Sequence, residues 1–329
     1  MRDICIVDTS ICTDNIGDEI IVDSVNRIVE ENFADCYIHR VPSHIILDEL
    51  NVRAIKRSEL CFIAGTSMFS SHMSLNGTWK IDVELSEIYK ESNVVSLGCG
   101  WSDYMGAPDE ETRQIFENVL SANFKHSVRD NYTRSKIEEL GRNAIFTSCP
   151  TMWRLTKDHC KGIPVSPASS VVFTLTNWRQ DRESDQLLIR LLKKLYRRVY
   201  FFAQMREDMD YFETFNEGGV FIITPTLKGF DTVLANEDID FVGTRLHGGI
   251  RALQKKKRSL IIAVDNRAIE LGADTGLPVI DRSCLEKELL RWYDHDFRPD
   301  IILPETGIGE FMGQFDLRQS SHKFSAPAF

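Results

Sequence analysis

Short apolar runs alternate with helix-patterned stretches from one end of this chain to the other, and that alternation limits its architecture more than any other feature. Ile4–Val7, Cys36–Ile38, Leu60–Ala64, Val94–Leu97, Ser127–Val128 and Ala144–Phe146 read as strands, with helical stretches such as Glu19–Glu31 and Glu110–Ala122 between them. The second half repeats the scheme, with strands at Ser170–Thr174, Val199–Phe202, Phe221–Ile223, Phe241–Val242, Leu260–Val264 and Val279–Ile280. Helical patterns fall near 184–197, 208–216, 228–235, 247–257 and 267–274. Short apolar strands, each followed by a helix, make βαβ units, and such units build parallel sheets. ESDQLLIRLLKKLYRR shows the helical pattern best: Leu187, Leu188, Leu191, Leu192 and Leu195 share one face, acids lead and bases close.

At 329 residues the chain exceeds one ordinary core and suits two domains of about 150 residues each. The stretch CPTMWRLTKDHCKGIPVSPASS holds three prolines and little periodicity, so a linker or hinge is expected near 150–168, dividing residues 1–155 from 156–329. The closing RQSSHKFSAPAF reads as a loosely held tail. With 43% hydrophobic and 27% charged residues, and no apolar run of the ~20 residues that span a bilayer, the composition is that of a soluble globular protein. The opening MRDICIVDTS lacks an apolar h-region and a small-residue cleavage site, which points to the cytoplasm. Eight cysteines without a C-x-x-C pair suggest neither a zinc site nor a disulfide framework, and no metal is expected. A net charge of −10 argues against nucleic acid or a generally anionic membrane as partner, so an acidic ligand must meet a local cluster of positive side chains.

In open parallel sheets, ligands bind beyond the carboxyl ends of the strands, where loops enter helix N-termini. Two such entrances differ in charge. The first, IVDTSICTDNIGDEIIVDSV, offers Asn15, Gly17, Asp18 and Glu19. Two acids in a first turn stabilise the helix but occupy the anion position, so sugar hydroxyls suit this entrance better than phosphate; equally, these are an ordinary turn residue and ordinary first-turn acids. The second, FVGTRLHGGIRAL, offers Gly243, Thr244, Arg245, His247 and Gly248 with no acid until Asp265. Glycines let backbone approach a ligand, Arg245 supplies a bidentate fork, and His247 exchanges protons near neutral pH. A histidine packed into the helix start is the plainer alternative. Further strand ends bring Arg129, then Asn177 and Arg179, then Gln204 and Arg206 to the same edge, positive and amide groups that an anionic donor needs.

Taken together, NIGDEIIVDSV, VVSLGCGW, HSVRDNYTRSKIEELG, CPTMW, FVGTRLHGGIRAL and AVDNRAIELGADTGLPV resemble the polysaccharide pyruvyl transferase family over about residues 4 to 282, the arginine-leucine-histidine triplet being the most specific element. The resemblance implies two Rossmann-like domains with parallel sheets facing each other across a cleft, as in GT-B glycosyltransferases, the first on the acceptor side and the second on the donor side. It also implies transfer of the enolpyruvyl unit of phosphoenolpyruvate to a sugar of a cell-surface polysaccharide, usually as a ketal across two hydroxyls. On this reading Arg245 and His247 lie at the donor, His247 as general acid, with Arg129 or Arg206 assisting. Asn15, Asp18 and Glu19 would contact the acceptor, a glycan or a lipid-linked sugar that brings the chain to a membrane periphery. One departure stands out: many members carry a run of glycines after the third strand, whereas IAGTSMFSS has Gly65 alone, followed by Thr66 and Ser67.

A glycosyltransferase with a nucleotide-sugar donor is the nearest alternative, since a diphosphate suits the same helix entrance. A catalytically silent sugar- or anion-binding protein is a more distant one. A nicotinamide enzyme is disfavoured because no G-x-G-x-x-G follows the first strand, and no cofactor is expected.

Overall fold

A computed structural model describes residues 2–315 of the chain; the tail expected from RQSSHKFSAPAF lies outside the described residues. The first half runs β1 (Arg2–Asp8), α1 (Ile16–Asn32), β2 (Cys36–Pro42), α2 (Glu49–Arg57), β3 (Leu60–Ala64), α3 (Val83–Ser86), β4 (Val94–Leu97), α4 (Glu110–Val119), β5 (His126–Val128), α5 (Asn131–Glu139) and β6 (Ala144–Phe146). Four strands form a parallel sheet in the order β2-β1-β3-β4, and the parallel pair β5-β6 joins its edge through a bridge between Cys99 and Val128. Every residue of β3 and β4 is buried, as expected of strands covered by helices on both faces.

After α6 (Lys157–Lys161), the second half continues with β7 (Ser170–Thr174), α7 (Arg182–Leu195), β8 (Arg198–Phe201), α8 (Arg206–Glu213), β9 (Val220–Ile222), α9 (Leu227–Asn236), β10 (Ile239–Gly243), α10 (Leu246–Gln254), β11 (Ser259–Ala263), α11 (Asn266–Thr275), β12 (Val279–Asp281), α12 (Leu285–Asp294) and α13 (Glu305–Gly313). Its six parallel strands lie in the order β12-β11-β10-β7-β8-β9. The order reverses beside β7, and the loops after β7 and β10 open at that switch point.

The stretch between the two sheets is not a solvated connector. Met152, Leu155, Cys160 and Ile163 are all buried in one cluster with Val172, Phe241 and Ile250 of the second half. Burying each such side chain contributes about 1.5–3 kcal/mol, which its irregular, proline-bearing backbone conceals from periodicity. The chain also crosses back: α13 packs Phe311 and Phe315 against Phe33 and Phe62 of the first half. The crossings lie side by side, with Trp153 and Phe311 rings 6.4 Å apart. The halves meet most closely where α1 packs on α10, joined by Arg251, which donates to Asp23 at 2.8 Å and to Asp231 at 2.6 Å. Among the described residues no helix is long and apolar enough to cross a membrane.

Candidate active site between two helix entrances

At the first entrance the sequence caps its own helix. Asn15 is extended (φ −117°, ψ 106°) and its side-chain oxygen accepts the Gly17 N–H at 2.9 Å, an arrangement that stabilises a helix by about 1 kcal/mol. Thr13 Oγ1 accepts the Asn15 N–H at 3.0 Å and donates to Asp18 Oδ2 at 2.9 Å. Thr66 Oγ1 donates to Asp18 Oδ1 at 3.2 Å. Thr66 and Gly65 both take left-handed backbone with φ 56°, which a β-branched residue adopts only when its surroundings hold it there. The turn that departs from a glycine run thus uses its side chains to fix both sides of the site. Thr66 holds Asp18, and Ser67 Oγ accepts Arg129 Nη1 at 3.2 Å. Burial raises the Asp18 pKa above the ordinary carboxylate value, opposed in part by the two hydroxyls and by the charges of His44 and Arg267. Half-buried Glu19 is raised by burial too and has no hydrogen-bond partner among the described residues.

At the second entrance no side chain caps α10, so its first-turn N–H groups and positive dipole end remain for a ligand. Arg245, at the cap position, corrects the sequence expectation. Its guanidinium forks onto Asp208, Nε donating to Oδ2 at 2.9 Å and Nη2 donating to Oδ1. Asp208 is fully buried and also accepts the N–H groups of Asn177 and Met205, each at 3.1 Å. A guanidinium left at 6% exposure needs a carboxylate, and here the protein supplies one, so the fork expected to grip an anionic donor ties α10 to α8 instead.

His247 is 6% exposed, with Nε2 3.7 Å from Cys149 Sγ. Burial pushes its pKa down to about 3, and the nearby charges of Arg267 and Arg129 push the same way against Asp265. The imidazole is therefore neutral at neutral pH and stands in a positive field. Arg129, 1% exposed, is held by Nε donating to Asp130 at 3.1 Å and by Nη2 donating to the Trp101 carbonyl at 3.4 Å. Gly100 makes room for it: a Cβ there would lie 2.2 Å from the Arg129 guanidinium carbon. VVSLGCGW and HSVRDN, distant in sequence, thus interlock on one side chain. Arg267, within the AVDNRAIELGADTGLPV stretch, pairs with Asp265 through Nη2 at 2.6 Å and lies 5.1 Å from the Trp178 ring centroid. Burial works against the Asp265 carboxylate, but Arg267 outweighs it and holds the pKa below the ordinary value. The arginine's place follows from β11 lying beside β10, an adjacency that no local pattern encodes.

Gln204 lies between the entrances: its backbone carbonyl accepts the Ile16 N–H at 2.9 Å, and its buried Oε1 has no partner among the described residues. The space beside Gly17 and Gly248 is filled by this side chain, and that beside Gly243 by Thr174. Those glycines serve internal packing, which corrects their expected role in approach to a ligand. Thr244 Oγ1 shares a 2.8 Å hydrogen bond with Thr176. Asn177 Oδ1 accepts from Gln180 at 2.6 Å. Arg206 is exposed at the start of α8 without a hydrogen bond or ion pair among the described residues. Around the mouth, Arg179 reaches Asp103 at 3.4 Å, Tyr104 donates to Glu270, and Asn131 donates to Asp274 at 3.1 Å, tying α11 to the first half.

The profile named polysaccharide pyruvyl transferase matches residues 15–266, from the Asn15 cap through α10 to the start of α11. No curated protein matches the chain. Among solved structures, the UDP-GlcNAc 2-epimerase of Methanocaldococcus jannaschii, in complex with UDP-GlcNAc and UDP, is similar with a TM-score of 0.55 at 10% identity, over 97% of this chain and 99% of that one. A second UDP-N-acetylglucosamine 2-epimerase is similar with a TM-score of 0.54 at 10% identity, over 100% of this chain and 99% of that one. At such identity the likeness is one of fold, the GT-B-like pair of Rossmann-like domains facing across a cleft. Since the profile spans most of the chain and both helix entrances, the chain belongs to the polysaccharide pyruvyl transferase family.

Proposed function

We propose that the chain transfers the pyruvyl unit of phosphoenolpyruvate to a sugar of a cell-surface polysaccharide or its precursor, forming a pyruvate ketal. One observation carries the reading: a neutral, desolvated imidazole shares the field of two arginines beside an uncapped helix N-terminus. Phosphoenolpyruvate brings a carboxylate and a phosphate, which match guanidinium forks and first-turn N–H groups. Arg129 and Arg267 supply the positive field in this scheme while each stays paired with its own carboxylate, Asp130 and Asp265, and Arg245 is the residue that orients α10. Burial is the larger cause of the low His247 pKa and the two arginine charges the smaller; a polyanion beside the ring offsets those charges and adds its own attraction for a proton, so the pKa rises and the imidazole takes up a proton as the donor arrives.

Imidazolium then gives that proton to the methylene carbon C3, and C2 becomes electrophilic. An acceptor hydroxyl oxygen bonds to C2 and its proton returns to the imidazole. The bond between C2 and the bridging phosphate oxygen breaks with its electron pair on that oxygen, the O–P bond staying intact in the departing phosphate, and a second hydroxyl closes the ketal on C2, its proton leaving with the phosphate. Positioned proton transfer of this kind contributes roughly 10²–10⁴-fold in rate. Asp18, Glu19 and Asn15 face the acceptor in this arrangement, with burial raising the Asp18 pKa against the two hydroxyls that donate to it.

The test is binding with proton counting. Phosphoenolpyruvate is expected to raise the melting temperature, and calorimetry in two buffers of different ionisation enthalpy is expected to show proton uptake near pH 7. Stabilisation by nucleotide sugars alone, or binding without proton uptake, overturns the proposal.

A further inference from the structure

We propose that Cys149 sets the tautomer of His247, so that the proton this imidazole offers a ligand is carried on Nδ1. The consequence for turnover rests on reading His247 as the proton donor, whereas the tautomer is a property of the free protein.

The chain leaves β6 at Phe146 and turns through left-handed backbone at Ser148, φ 64°. Pro150 fixes that turn from the far side, its ring lying where a side chain on Gly98 would stand, 2.1 Å from the Cβ position. Cys149 is thereby delivered to α10 fully buried, with Sγ 3.7 Å from His247 Nε2 and 3.1 Å from Thr151 Oγ1. Sγ has no other hydrogen-bond partner among the described residues.

The Thr151 hydroxyl donates to Sγ, which engages the sulfur as an acceptor and leaves Nε2 as the acceptor for the thiol proton. That proton stays on sulfur, since burial raises the thiol pKa by more than Thr151 lowers it. A nitrogen that accepts from S–H carries no proton. Because burial and the flanking arginines keep the ring neutral, its single proton sits on Nδ1, which has no partner among the described residues. Thiol and hydroxyl each both donate and accept, so the same pair also serves the imidazolium: Nε2–H then donates to Sγ, and S–H turns to Thr151 Oγ1. A carboxylate at position 149 would instead hold a proton on Nε2 permanently. Cys149 is on this account a positioning residue that acts through His247.

The experiment uses the full chain with ¹⁵N-labelled histidine, the His247 signals being identified by their loss in His247→Gln. Wild type at neutral pH is expected to show protonated Nδ1 and bare Nε2, and Cys149→Ser the same pattern. Cys149→Ala is expected to lose the preference and to lower kcat about 10- to 100-fold with the KM for phosphoenolpyruvate unchanged. Protonated Nε2 in the wild type, or an unchanged tautomer in Cys149→Ala, overturns the proposal, and the wild-type spectrum decides it even where a variant folds poorly. Absence of phosphoenolpyruvate turnover beside the expected spectrum would sink the functional reading and leave the tautomer assignment standing.

Discussion

The entrances to α1 and α10 come within one glutamine of each other, yet they solve the same electrostatic problem with opposite groups. α1 is capped by Asn15 and presents a carboxyl group that accepts from two threonine hydroxyls; α10 is uncapped and presents an imidazole held by a thiol. Burial pushes Asp18 up and His247 down, so both lean toward their neutral forms. Charge beside them is carried by the pairs Arg129–Asp130 and Arg267–Asp265. The difference in capping separates the roles: an entrance whose first-turn amides are already satisfied suits hydroxyls, and one whose amides are open suits an anion.

Removing the imidazole is the strongest way to break that contrast. His247→Ala is expected to lose about 10²–10⁴-fold in turnover with its circular dichroism unchanged. Its stability should also become flatter in acid. The folded pKa of about 3 lies below the ordinary 6.5, so the wild type holds its full His247 contribution above 6.5 and loses it as pH falls toward 3. Denaturant midpoints across that window check the sign.

Arg245 and Arg267 sharpen the comparison within the basic entrance. Arg245→Ala strands the buried Asp208 and should destabilise the fold by about 3–5 kcal/mol, read by urea unfolding. Arg267→Ala should instead raise the KM for phosphoenolpyruvate roughly 10- to 100-fold, the equivalent of about 1.5–3 kcal/mol for a hydrogen bond to a charged group, and, because it leaves the Asp265 carboxylate unpaired, should also destabilise the fold, by less than Arg245→Ala does. An exchange of these two phenotypes would return the donor fork to Arg245.

The smallest effect belongs to the acidic entrance. With its folded pKa raised, Asp18 is a growing liability as pH climbs from the ordinary carboxylate value through the raised one. Asp18→Asn should therefore change neutral-pH stability by less than about 1 kcal/mol and remove that pH slope, while weakening the acceptor more than the donor. A large rise in donor KM would mean that the two entrances are not divided as described.

What can be read from sequence follows a physical line. Leu60–Ala64 and Ser170–Thr174 are found as strands with the expected bounds, because a continuous apolar run between turn signals has few other fates. His247 and Arg129 are legible as candidates because they stand at strand ends, where local pattern and ligand geometry coincide. The Asp208 partner of Arg245 is not, since it is 37 residues away on another crossover. Arg267 and Cys149 fall within the stretches AVDNRAIELGADTGLPV and CPTMW, but that they are placed near the imidazole follows from sheet order and a left-handed turn, which spacing does not encode. Thr66 and Ser67 are visible only as a departure from a glycine run, and their hydroxyl bonds to Asp18 and Arg129 explain why side chains stand there.

The return of α13 to the first half has a mechanical consequence. Two stretches of backbone bridge the halves beside one another, stitched by Trp153 and Phe311. A paired strap of this kind bends readily about one axis but resists twisting and sliding. Cutting the strap between Leu303 and Glu305 would therefore leave a molecule that still folds around both sheets yet swings loosely, Arg129 of the first half no longer held in register with the imidazole of the second.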